Sequence, residues 1–229
     1  MLLAPLAVLP LGLAVALVLL ACRWLSVAPL VPGLLAVGVL VLGTRAFHVD
    51  GLSDTADGLT ASYDRERSLA AMRTGTSGPA GGVAVLLVLG LQAASISWIA
   101  LSPRGPVLVG VLVCVSRCAL VLTCARGVPA ARADGLGETC TGSVPRLAAA
   151  AVWVLAAVVT ALATAWADAP AVDGVVAVLL AGAVVLLLVR RCTTRLGGVT
   201  GDVFGAAVEL ALATQLVVVS GAVSIHVAG

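Results

Sequence analysis

Seven long apolar segments constrain the fold of this chain more than any other feature of its sequence. The segments are 2–22, 27–47, 80–101, 106–124, 147–167, 173–189 and 203–227. About twenty consecutive apolar residues form a helix long enough to cross the hydrocarbon core of a bilayer. The composition agrees, since 61% of the 229 residues are hydrophobic and only 10% are charged, too few to cover a soluble domain. The sequence therefore predicts one all-α domain over 1–229, a polytopic membrane helix bundle with about seven transmembrane helices.

Arginines are distributed unequally among the connections between these segments. The three long connections are 48–79, 125–146 and 190–202. With Arg45 at the margin of the first, they hold ten arginines, whereas the short connections hold two, Arg23 and Arg104. Cytoplasmic loops of membrane proteins carry the excess of positive charge. We therefore expect the long connections in the cytoplasm, with the amino terminus inside and the carboxyl terminus outside.

Three aspartates stand in the first long connection, in the stretch FHVDGLSDTADG. If this stretch is helical, Asp50, Asp54 and Asp57 lie within an arc of about 60° on one face. Carboxylates this close repel each other unless a cation lies among them, and magnesium prefers such oxygen ligands. Gly51 and Gly58 allow a backbone or a ligand to approach closely. This pattern favours a magnesium site, and the alternative is a solvated acidic helix end.

Further charged residues lie near the ends of later segments. Arg117 is about eight residues inside the fourth segment, where an arginine is either paired or functional, or reaches the interface by snorkelling. Arg132 and Asp134 belong to the glycine-rich sequence ARADGLGETC. His48 would point away from the aspartate face, which favours an interfacial or hydrogen-bonded histidine over a metal ligand.

The last segment carries two acidic residues on one helical face. Asp202 lies at its beginning, and Glu209 lies one heptad deeper, where a carboxylate is costly enough to suggest a ligand or proton role or a helix-packing hydrogen bond. Gly201 and Gly205 form a GxxxG step that lets another helix pack closely. The step could serve packing within the chain or a homo-oligomer.

Aspartates and arginines at one membrane face together suggest chemistry on a magnesium-bound diphosphate. The carboxylates would hold the metal, the metal and the arginines would neutralise phosphate charge, and an alcohol would attack phosphorus in line. The sequence contains no basic run and only 3% aromatic residues, so it does not suggest a nucleic-acid-binding protein.

Three sequence blocks carry a resemblance to a known family. They are FHVDGLSDTADG (47–58), ARADGLG (131–137) and LGGVTGDVFGAAVE (196–209). In this order they resemble cobalamin synthases, the adenosylcobinamide-GDP ribazoletransferases, over nearly the whole chain. The resemblance implies a multi-pass inner-membrane enzyme of bacteria that uses magnesium. It implies that adenosylcobinamide-GDP is joined to α-ribazole, or to its 5′-phosphate, with release of GMP.

The same resemblance implies roles for particular residues. The metal ligands would be Asp50, Asp54, Asp57 and Asp202. Glu209 is a further candidate because of its depth in the last segment, not because of the resemblance. One aspartate, Asp57 or else Asp54, would take the proton from the ribazole hydroxyl. The candidate substrate contacts are Arg117, Arg132, Asp134, Gly51, Gly58 and His48. The two arginines would contact phosphate.

Two other classes of protein remain as alternatives at this point. Another membrane alcohol phosphotransferase would use a similar metal and reaction, but its usual signature has alanine-arginine where this chain has DGLTAS. A carboxylate-lined cation transporter would carry acids at mid-membrane on several segments, and in this sequence only Glu209 meets that requirement.

Overall fold

In a computed structural model, residues 1–73 and 75–223 are described. Within these residues the chain is helical, with two isolated β-bridges and no strand. The helices are α1 (Ala4–Ala7), α2 (Leu9–Trp24), α3 (Val31–Gly43), α4 (Phe47–Ala61), α5 (Arg65–Ala71), α6 (Pro79–Ile99), α7 (Gly105–Ser116), α8 (Ala119–Thr123), α9 (Gly135–Cys140), α10 (Arg146–Trp166), α11 (Ala171–Leu196) and α12 (Gly201–Ala222). The predicted all-α class is confirmed.

Several of these helices are long and apolar enough to span a membrane. They are α6, α7 with α8 as one unit of 19 residues, α10, α11 and α12. A sixth span results if α3 and α4 are counted as one bent pair, and α2 is a shorter apolar helix of 16 residues. This agrees roughly with the expected seven, and the chain is a multi-pass membrane protein.

The second predicted segment, 27–47, does not continue straight to its end. Helix α3 stops at Gly43, and the chain turns through Arg45 and Ala46, whose φ angles are 52° and 60°. Helix α4 then leaves at 91° to α3. Left-handed φ angles at non-glycine residues are uncommon, so a count of apolar residues gave no sign of this turn. Because of it, the predicted aspartate helix does not prolong a span.

The sixth segment is longer than predicted. We expected a loop over 190–202, but α11 remains helical as far as Leu196 and ends at Gly197, whose φ is 78°. The three arginines of this stretch therefore lie on the helix, because arginine is a good helix former and charge alone does not end a helix. The seventh segment was predicted to reach residue 227, and residues 224–227 lie outside the described part of the chain.

Helix α12 is the buried centre of the bundle and packs against α4, α6, α7, α8 and α11. Its crossing with α4 depends on two glycines. A Cβ on Gly51 would lie 2.5 Å from the Asp202 carbonyl oxygen, and a Cβ on Gly205 would lie 2.9 Å from the His48 Cα. Of the two glycines of the GxxxG step, Gly205 thus makes the predicted close packing with α4 of the same chain, and Gly201 faces Leu136 of α9. This crossing brings the aspartates of α4 next to Asp202.

The long connections meet at one end of the bundle. Arg65 joins all three of them, donating from Nε to the Leu196 carbonyl at 2.8 Å and from Nη2 to the Ala131 carbonyl at 2.7 Å. At the other end, Arg104 pairs with Asp168 at 2.8 Å and so joins two short connections. We call the first end the arginine-rich end.

Candidate active site

A cavity of about 680 Å³ opens at the arginine-rich end, between α4, the start of α12 and the segment that leads into α9. One wall is apolar and is formed by Phe47, Leu120, Leu136 and Phe204. The charged residues that line the cavity are Asp50, Arg73, Arg132, Asp134 and Asp202. The sequence grouped four of these five as site residues, and the structure adds Arg73. The cavity thus offers both carboxylates and guanidinium groups to one bound molecule.

Negative charge is concentrated around Asp54, which lies on α4, outside the five spanning helices, and which like Asp57 is not among the cavity-lining residues. Burial, followed by the charges of Asp50, Asp202 and Asp57, raises the pKa of Asp54 from 3.8 to about 6, and Arg132 partly opposes this. Asp202 also lies in the first turn of α12 and accepts a hydrogen bond from Thr200 Oγ1 at 3.0 Å. The α4–α12 crossing therefore gathers carboxylates that repel each other.

These carboxylates fit magnesium in donor type and in charge, because a divalent cation would relieve the repulsion that, after burial, contributes to the raised pKa of Asp54. Within residues 1–73 and 75–223, no group of three or more His, Cys, Asp or Glu side chains lies close enough together to hold a metal ion without other ligands. Magnesium commonly takes one or two carboxylates together with substrate phosphates. The donor set therefore suits a metal that arrives with its phosphate ligand.

Asp57 has a different environment from the other aspartates of α4. Its two carboxylate oxygens accept hydrogen bonds from the backbone N–H of Gly78 at 2.6 Å and of Gly81 at 2.9 Å. These amides belong to the start of α6, so Asp57 caps that helix from outside it. The contact ties α4 to α6 and occupies both oxygens of the aspartate that the sequence favoured as base.

A buried polar group lies beneath the cavity, around Glu209. Glu209 is only 5% exposed, and its Oε2 accepts a hydrogen bond from Gln92 Nε2 at 2.7 Å. His48 lines the cavity, and its Nδ1 lies 3.6 Å from Glu209 Oε1. That distance is longer than a hydrogen bond, and Nδ1 has no other partner in the described part of the chain. Sequence analysis missed Gln92, although a lone glutamine in an apolar span was a signal.

Arg117 lies in the same buried region and is 4% exposed. It lies in the short break between α7 and α8. Its Nη1 donates hydrogen bonds to Ser116 Oγ at 2.8 Å and to the Val113 carbonyl at 3.3 Å. Its charge interacts with that of Glu209. Arg117 is not among the cavity-lining residues, so the structure separates it from the position at which we expected a phosphate contact.

Arg132 and Asp134, by contrast, reach the cavity, as does Arg73 at the end of α5. Arg132 Nη2 donates to the Leu69 carbonyl at 2.7 Å, and Arg73 Nη2 pairs with Asp134 Oδ2 at 2.7 Å. Burial and the nearby charge of Arg73 lower the pKa of Arg132. Gly58 faces Met72, so its close contact is with protein. Sequence analysis did not select Arg73 as a site residue, because spacing alone did not connect it to Asp134.

Comparison with known proteins identifies similar sequences along nearly the whole chain. The model of a family described as cobalamin-5-phosphate synthase matches residues 1–220. An adenosylcobinamide-GDP ribazoletransferase of Nocardioides sp. is 53% identical over 216 residues, 94% of this chain and 84% of the relative. The proteins of that name from Frankia casuarinae and Escherichia coli are 37% and 35% identical, covering 96% and 80% of this chain and 84% and 72% of the relatives. No solved structure matches the chain.

Proposed function

This chain belongs to the cobalamin-5-phosphate synthase family, and we propose that it joins adenosylcobinamide-GDP to α-ribazole or to α-ribazole 5′-phosphate, releasing GMP. This is the nucleotide-loop step of cobalamin assembly. The family description names a 5-phosphate product, which favours the phosphorylated acceptor. The observation that carries the proposal is the match over residues 1–220, joined to a cavity that combines carboxylates with arginines.

The products determine which bond breaks. GMP keeps one of the two phosphates, so a ribazole hydroxyl attacks the other phosphorus, on the cobinamide side of the diphosphate. The bridging P–O bond breaks, its electron pair leaves with GMP, and the hydroxyl proton passes to a base. Such a transfer depends on positioning the two substrates and on neutralising phosphate charge.

Two groups of residues would serve this reaction. Asp50 and Asp202 line the cavity and would hold magnesium together with a substrate phosphate, and the metal when bound supplies charge neutralisation for the diphosphate. Arg132 would contact phosphate. For the hydroxyl proton, Asp54 becomes our first candidate, because both oxygens of Asp57 already accept hydrogen bonds from α6.

The test is the reaction itself, with detergent-purified protein. We expect GMP release only when adenosylcobinamide-GDP and a ribazole acceptor are both present, in equal amounts of GMP and joined product. Chelation with EDTA should abolish the release, and Mg²⁺ or Mn²⁺ should restore it. Absence of GMP with both acceptors would contradict the proposed function, and full activity in EDTA would contradict the metal.

The orientation in a bacterial inner membrane is a second proposal, carried by the ten arginines of the long connections. In a variant without the six native cysteines, single cysteines at Tyr63, Ser143 and Thr194 should resist a membrane-impermeant thiol reagent in intact cells. Cysteine at Asp168, at the opposite end, should react. These sites are exposed in the fold, so access depends on the side of the membrane. Labelling of the cysteine at position 63 without labelling of the cysteine at position 168 would show that the orientation is the opposite of the one proposed.

A further inference from the structure

Two arginines converge on the cavity from different parts of the chain. Arg73 follows α5, whereas Arg132 precedes α9, and both line the cavity. Arg132 is held in place by its bond to the Leu69 carbonyl. Two guanidinium groups brought together in this way repel each other unless an anion lies between them.

Arg132 also has an unused donor. Its Nε is buried and has no hydrogen-bond partner in the described part of the chain. A buried N–H without a partner destabilises a fold, so such a group commonly marks a place that a ligand or water completes. A guanidinium that offers Nε and Nη atoms has the fork geometry that suits a phosphate.

The anion now present is Asp134, and its position is unusual. Asp134 is the residue that precedes α9, where an aspartate normally accepts hydrogen bonds from the first amides of its own helix. Its side chain makes no such bond and pairs with Arg73 instead. The next residue, Gly135, has a φ of 80°, a left-handed conformation that glycine adopts without strain. Asp134 therefore has two alternative partners, Arg73 and the start of α9.

We propose that Arg73 and Arg132 form a clamp for a phosphate of the diphosphate substrate, and that Asp134 occupies this clamp until the phosphate displaces its carboxylate. The inference rests on the proposed function and adds Arg73 to its binding residues. The displaced ion pair is solvent-exposed, at 57% and 64% of the two side chains, and exposed pairs are weak. A phosphate with two bonds to a guanidinium is the stronger partner. The freed Asp134 side chain then caps α9.

Replacing Asp134 should lower the KM for adenosylcobinamide-GDP if Asp134 competes with phosphate, and should raise it if Asp134 contacts the substrate directly. If Asp134 competes with phosphate, Asp134→Asn should lower the KM for adenosylcobinamide-GDP, by about two- to fivefold, since an exposed pair is weak. Arg73→Gln should raise the same KM about tenfold or more, and Arg73→Lys should not restore it, because lysine lacks the fork. The KM for the ribazole acceptor should change little in each variant.

The matched control is Asp168→Asn, which removes an equivalent exposed arginine–aspartate pair, of 2.8 Å, at the other end of the bundle. It should leave both KM values unchanged. Binding of radiolabelled GMP to the same purified proteins tests the clamp without the reaction, with tighter binding in Asp134→Asn and weaker binding in Arg73→Gln. If the wild type makes no product but GMP binding follows this order, the clamp stands and the proposed reaction fails. A higher KM and weaker GMP binding in Asp134→Asn, or equal GMP affinity in all variants, would overturn the clamp.

Discussion

Asp54→Asn is expected to lower turnover by about a hundredfold or more, the usual loss when a metal ligand or a general base is removed. Asp54 lies where the charges of three other aspartates meet, and burial raises its pKa to about 6. The amide removes the negative charge but keeps nearly the same shape. The turnover of Asp54→Asn and of the wild type, measured with saturating magnesium and both substrates, tests this expectation.

Asp57→Asn provides the informative comparison. An amide oxygen can retain one of the two hydrogen bonds to α6, so we expect a loss of stability of about 1 kcal/mol and a smaller loss of turnover than at Asp54. Asp64→Asn is the matched control, because Asp64 caps α5 through the Arg67 N–H at 2.9 Å and is not among the carboxylates whose charges act on Asp54. Near-normal turnover in Asp54→Asn would remove Asp54 from the site, and equal large losses at Asp54 and Asp57 would restore Asp57 as a ligand or base.

The parts of this fold that follow from local pattern were predictable from the sequence. Long apolar segments give spanning helices wherever they occur, and the aspartate stretch has the spacing of one helical face. The glycine step of α12 predicted a close helix neighbour, and that neighbour is α4. These features depend on residues near each other in the chain. The predicted grouping of the arginine-rich connections at one end of the bundle is also observed.

The parts that depend on distant residues were not predictable. The turn at Arg45 and Ala46 has φ angles that no residue type there requires. The capping of α6 by Asp57 joins residues more than twenty positions apart, and the pair of Arg73 with Asp134 joins residues 61 apart. A single sequence gives no distance between such residues, so spacing grouped Asp57 with a metal site and did not select Arg73.

The contacts of Arg117, within a spanning segment, were also not predictable from the sequence. Its depth indicated a paired or functional arginine, and both alternatives remained open from sequence. The structure places it near Glu209, away from the cavity lining, at an interruption between α7 and α8. We therefore expect its contribution to appear first in stability.

Glu209→Leu is expected to reduce stability by about 1–3 kcal/mol, because it leaves the buried Gln92 Nε2 without its acceptor and removes the negative charge that interacts with the buried Arg117. Arg117→Met alone should also destabilise the protein, since it removes the hydrogen bonds to Ser116 and to the Val113 carbonyl and the positive charge that interacts with Glu209. The double variant removes both charges, so its loss should be smaller than the sum of the single losses by about 1–3 kcal/mol. Thermal unfolding of the detergent-solubilised proteins measures this coupling.

Activity then separates stability from catalysis in the same variants. His48 lines the cavity and faces Glu209 at 3.6 Å, so the loss of Glu209 should also shift the His48 ring and lower turnover. Arg117→Met should lower turnover less than Glu209→Leu, when both are measured below their unfolding temperatures. Gln215→Leu is the control, because Gln215 is fully buried on α12 and neither of its side-chain polar atoms has a hydrogen-bond partner in the described residues. Additive losses of stability in the double variant would show that Arg117 and Glu209 do not compensate each other. A KM for adenosylcobinamide-GDP that rises selectively in Arg117→Met would return Arg117 to the phosphate contact that the sequence first suggested.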